Sequence, residues 1–212
     1  PGSDFIAMGN GFITELIARD RAGKPLAAHA QIYEQIFRSF YDSALTLYVD
    51  QYPLFGDPEV MPVKVIWDYS YYWGVLAPLF MQERIADLAS LSRLRDELAD
   101  CQRLNVAMQN FLRAWSGVSE KRNPAEMLDQ ASVPWFVDLN RRLHDTLGSD
   151  AFVARLQQSH QLLRALAQQI GDKALGDHPQ LDASALRTAI GAAPLHPHEA
   201  MLFERAYDNV FA

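Results

Sequence analysis

The sequence has one cysteine, Cys101, in 212 residues, so no disulfide can form within the chain. That fits a reducing, cytoplasmic setting. No GxGxxG follows a strand pattern, and no GxxxxGK is followed by Ser or Thr. No self-contained nucleotide site of either common kind is therefore visible. HExxH and CxxC are absent, as is any ExxH pair of the sort that carboxylate-bridged metal bundles take from facing helices. The nearest approach, His29 with Glu34, is five residues apart and does not share a helix face. Runs of like charge are also missing. With 26 acidic and 19 basic residues the net charge is -7, which disfavours nucleic acid and anionic membranes as partners. The first residues lack a basic segment followed by an apolar one, so no signal peptide is expected.

A long charge-free apolar run is missing too, though one stretch comes near it. Residues 60–82, VMPVKVIWDYSYYWGVLAPLFMQ, carry five aromatics between Trp67 and Trp73. They also carry Lys64, Asp68, Pro62 and Pro78. A membrane span needs about 20 apolar residues with few or no charges. Together with a mean hydropathy of -0.13 this predicts a buried central core helix and no membrane span. Pro62 suits its first turn, and Pro78 must kink or break it.

What surrounds that stretch is helical in period. Phe5, Met8, Phe12, Ile13, Leu16 and Ile17 recur at helical spacing behind a start with Ser3 or Asp4 as N-cap, and Gly23 ends the helix. Gly9 and Gly11 inside it imply close approach of a backbone or ligand. A second stripe runs from Ile32 to Tyr48, and 51–58 form a structured loop. Further helices are expected from Ile85 to Leu112, at 133–147 after Pro134, from a Ser149-Asp150 cap to Ile170, at 182–190, and from Pro194 towards Val210, with 171–181 a loop and a helix entry at Asn123-Pro124-Ala125-Glu126. No segment alternates with period two. The reading is all-α: an irregular multi-helix bundle around the aromatic-rich central helix. A helical core unit is assigned to 1–116, with a C-terminal helical extension, 117–212, packing on it.

Few residues carry chemistry. Lys64 and Asp68, spaced i, i+4 on the most apolar helix, form either a catalytic or anchoring pair or a self-neutralising ion pair in a packed helix. Trp67, Tyr71 and Trp73 are substrate-pocket candidates, although rings at such spacing are more often core. His196, His198 and Glu199 could ligate zinc, but Pro197 and Glu199 also read as an ordinary helix start. His144 and His160 read as surface residues, and His178 as a loop residue before a proline. No metal site is assigned.

Two stretches resemble a known family. PGSDFIAMGNGFITELI resembles a segment of flavin-dependent halogenases and related FAD monooxygenases of the tryptophan-halogenase-like superfamily, in which a turn leads into a helix whose N-terminus points at the flavin. QYPLFGDPEVMPVKVIWDYSYYWGVLAPLF looks like the C-terminal helical part of members of that group. Together they cover roughly the first 80 residues. The resemblance implies an FAD oxidoreductase whose flavin lies beside Gly2, Ser3 and Asp4. It also implies a partner for this chain, an FAD-binding domain or subunit, because the family's glycine fingerprint and catalytic lysine have no counterpart here. FAD is expected for the complete enzyme and is not expected to be held by this chain alone. An apolar or aromatic small molecule is the implied substrate. Two other readings stand beside this one: a non-catalytic helical module binding a partner helix or apolar ligand, and an all-α metalloenzyme.

Overall fold

The computed structural model describes residues 2–122 and 129–192, and among them every regular element is helical. The helix entry expected at 123–126, the last helix expected from Pro194, and the His196/His198/Glu199 group lie outside the described residues.

The chain opens with a helical hairpin, α1 (Gly2–Arg21) and α2 (Ala27–Leu45). α1 ends as its sequence predicts. Gly23 has φ +65°, its N–H bonds Asp20 O, and the Lys24 N–H bonds Arg19 O at 3.0 Å, a Schellman arrangement. Its start differs from expectation. The helix already includes Gly2, so Ser3 and Asp4 sit in the first turn and are not N-caps. Asp4 instead accepts a hydrogen bond from the Tyr72 hydroxyl. Inside the hairpin, Phe12 stacks on Tyr33 at 4.8 Å and Phe5 meets Phe37 and Phe40 edge-on.

The aromatic-rich stretch is not one continuous α-helix. α3 (Met61–Tyr71) passes into a π-turn (Tyr72–Leu76) and then α4 (Ala77–Met81). Pro78 explains the break. It lacks an N–H, and its ring would press on the carbonyl four residues back. The turn widens there, with the Ala77 N–H reaching back five residues to Tyr72 O, which makes room for the ring. Nor is the stretch buried all round. Trp67 and Tyr71 are fully enclosed, Tyr72 and Trp73 are half-buried, and Tyr69 is exposed. None of the helices among the described residues is long and apolar enough to cross a membrane.

α5 (Leu88–Arg93) leads directly into α6 (Arg95–Val118), against which α8 (Ser149–Asp177) and α9 (Ser184–Ile190) pack. α7 (Pro134–Arg141) stops short of the expected 147. The Gln82 amide explains this: it donates to Leu143 O and Asp145 O and accepts from the Leu147 N–H, holding that backbone out of helix. α8 runs past Gly171 to Asp177, where a loop is expected. A Cβ at Gly171 would sit 3.3 Å from Leu186 Cδ2, so this glycine serves the α8–α9 crossing and does not end the helix. One apolar core runs from Met8 to Ile190 and crosses the 116/117 boundary drawn from composition.

Candidate functional site

Lys64 is 1% exposed, and its ammonium has a full set of acceptors: Leu47 O at 3.0 Å, Asp68 Oδ2 at 2.6 Å and Gln109 Oε1 at 2.9 Å. Gln109 Nε2 in turn donates to Asp68 Oδ1 at 2.7 Å, and Trp67 Nε1 donates to Asn105 Oδ1 at 2.9 Å. Burial pulls the Lys64 amine below its usual range and pushes the Asp68 carboxyl above its own, each offset in part by the other. Every proton of the ammonium is committed to a protein oxygen. The pair therefore locks α3 to α6 and to the end of α2. It has no donor left for a substrate.

The three aromatic pocket candidates separate. Tyr71 lines an apolar cavity of about 560 Å³, within the range of small-molecule sites. Trp67 is turned to α6. Trp73 sits tilted between Tyr69, at 4.7 Å, and Phe136, at 4.9 Å. The cavity is framed by α2, the π-turn with α4, α5 and the start of α6. Its floor includes Phe40, Ser43, Val75 and Leu79, all buried. Burial pushes the Tyr71 phenol far up, so the floor is a neutral surface. Its mouth carries the exposed Gln35, Ser39, Ser92 and Arg95.

Arg95 was not legible as a site residue: the apolar stripe of this segment is Leu88, Leu91, Leu94 and Leu98, and Leu94 is fully buried while Arg95 beside it is exposed at the cavity's mouth.

A second cluster was also passed over. His178 lies in the loop after α8 as expected, but it is buried, and its Nε2 lies 2.5 Å from Glu59 Oε1. Trp115 Nε1 donates to the same oxygen at 2.9 Å, and Ser119 Oγ donates to Glu59 Oε2 at 2.9 Å. Burial acts to raise the Glu59 carboxyl, but these hydrogen bonds outweigh it and hold it below its ordinary value. Nearby Asp57, fully buried, takes the Glu59 and Val60 N–H groups at the entry to α3 and the Ser116 hydroxyl, and its Oδ1 lies 3.0 Å from Ser119 Oγ, which shares its one proton between Asp57 and Glu59. The cluster ties the ends of α6 and α8 to the entry of α3. His160 is half-buried and not a surface residue, and burial lowers its pKa. Cys101 is buried with its thiol pushed up to about 12, so it is unreactive. Among the described residues no three His, Cys, Asp or Glu side chains converge on a possible metal position.

Gly2 and Ser3 are exposed at the open end of α1, and a Cβ at Gly2 would meet nothing within 4 Å. Neither they nor Asp4 line the apolar cavity. Comparison with protein-family models, curated proteins and solved structures finds no match to the chain.

Proposed function

We propose that the chain is the helical, substrate-side part of an FAD-dependent oxidoreductase of the tryptophan-halogenase-like kind. The two stretches described above carry the resemblance. The observation that supports it in three dimensions is the outer face of α1. Ile6, Ile13 and Ile17, spaced seven and four, lie on one stripe and are 67%, 55% and 49% exposed. A row of isoleucines left facing water marks an interaction surface. It lies on the helix whose first residues resemble the flavin-adjacent segment. Its partner in this reading is the FAD-binding domain.

The residues present fit the edge of a flavin site and not a whole one. The open first turn of α1 offers backbone N–H groups and a positive dipole end, which favour an anion. Asp4 brings a negative charge to the same end and is already engaged by Tyr72. No glycine-rich loop is present to hold a pyrophosphate. FAD, when bound by its own domain, would supply the redox chemistry. This chain's part is to hold an apolar substrate in the cavity under α2 and to exclude water there.

The test is reconstitution with a separately produced FAD-binding domain of this family. One-to-one co-elution with flavin absorbance is expected. Ile13→Asp with Ile17→Asp should abolish co-elution and leave the circular-dichroism melt of the chain alone unchanged. Failure to co-elute, or tight FAD retention by this chain alone, would overturn the proposal. The cavity also favours a second reading, an apolar-ligand-binding module acting without flavin. Ligand binding by the isolated chain, with no FAD-linked activity on reconstitution, would select it.

A further inference from the structure

We infer that the cavity under α2 binds a linear aliphatic chain ending in one carboxylate, with the Arg95 guanidinium holding the carboxylate at the mouth. The walls decide the body of the ligand. Ile36, Val75, Leu76, Leu79, Leu88 and Leu91 are aliphatic, and only Phe40 and Tyr71 bring rings to the lining. A flat aromatic ligand would find little to stack on. A flexible chain can follow an aliphatic surface of this kind. The deep end carries no charged side chain: Phe40, Ser43, Tyr71, Val75 and Leu79 line it.

The mouth decides the head group. Among the described residues Arg95 is the one charged side chain lining the cavity. Among the described residues nothing hydrogen-bonds or ion-pairs with its guanidinium, although Asp96 and Glu97 follow it. The neighbouring arginines differ: Arg84 pairs with Asp87 and Arg93 with Asp150. Helix stability does not account for Arg95, which is the first residue of α6, where a cation opposes the helix dipole. Nor does packing account for it, since the side chain is exposed. A free guanidinium beside a helix start is suited to two carboxylate oxygens. Exposed Gln35, Ser39 and Ser92 supply further donors at the same rim.

This assignment stands without the flavin reading, and its test uses no flavin. The full chain is titrated calorimetrically with three probes below their aggregation limits: decanoate, decanol and 2-naphthoate. Decanoate is expected to saturate one site. Decanol, with the same body and no charge, and naphthoate, with the charge on a flat body, should each bind about tenfold more weakly or worse. Arg95→Gln should weaken decanoate by about tenfold and leave decanol unchanged, with an unaltered melting curve because the side chain is exposed. Ala99→Phe, which fills the mouth, should weaken decanoate and decanol together. No saturable decanoate binding, equal binding of decanol, equal or tighter binding of naphthoate, or indifference to Arg95→Gln or Ala99→Phe would each overturn the assignment.

Discussion

Lys64 is stable as a buried ammonium because three oxygens surround it, and removing it would strand Asp68 in a half-buried, apolar setting. Breaking such a pair from one side costs far more than replacing both partners. Lys64→Met should therefore lose about 3 kcal/mol in urea unfolding, and Lys64→Met with Asp68→Leu should recover most of it. Glu59 makes a prediction in pH. Its folded pKa is lowered by bonds from His178, Trp115 and Ser119, acting against burial. Its stabilisation is thus complete above the unfolded value of about 4.3 and is lost as pH falls through the folded value. Glu59→Gln should melt lower than the parent at pH 7, and the two melting curves should converge as the pH is taken well below 4. A difference that persists in acid would mean that the effect is packing and not charge. The i, i+4 spacing of Lys64 and Asp68 made their contact legible in the sequence. The Glu59–His178 contact was not, because 119 residues separate the two.

Helix α1 carries two glycines, Gly9 and Gly11, where a close approach was expected, and the described residues supply none. A Cβ at Gly9 would meet only Phe37 Cε2 at 3.9 Å, and one at Gly11 nothing within 4 Å. Gly11 is exposed in mid-helix, so Gly11→Ala should stabilise the chain by about 1 kcal/mol and raise its melting temperature by roughly 2–4 °C. Other elements show how far local signals reach. The end of α1 was legible because Gly23 is required for its own left-handed backbone. The ends of α7 and α8 were not. A side chain at Gln82 stops one helix early, and Gly171 continues another because it faces Leu186. Ile13 and Ile17, placed on the core stripe from periodicity, turn outward with Ile6. Period alone cannot say which of two apolar faces will be covered.

Among the described residues that outward stripe is uncovered, on an acidic chain that also exposes apolar side chains such as Val49, Tyr52 and Phe55 elsewhere. In isolation the chain should self-associate as its concentration rises, visible as increasing sedimentation coefficient, and Ile13→Asp with Ile17→Asp should hold it monomeric. Unchanged association of the double variant would place the contact elsewhere. At this scale the all-α class and the buried Lys64–Asp68 pair were determined by the sequence itself, since helical period, caps and i, i+4 spacing are properties of a few neighbouring residues. The cavity was decided only by the tertiary structure. Its lining comes from α2, the π-turn with α4, α5 and α6, and the break at Pro78 sets the course of the segment that bears Val75, Leu76 and Leu79. Of the central aromatics only Tyr71 lines it, while Trp67 and Trp73 are drawn to Asn105 and Phe136. Which side chain meets which depends on how the helices cross, and that is set by contacts between residues far apart in the chain.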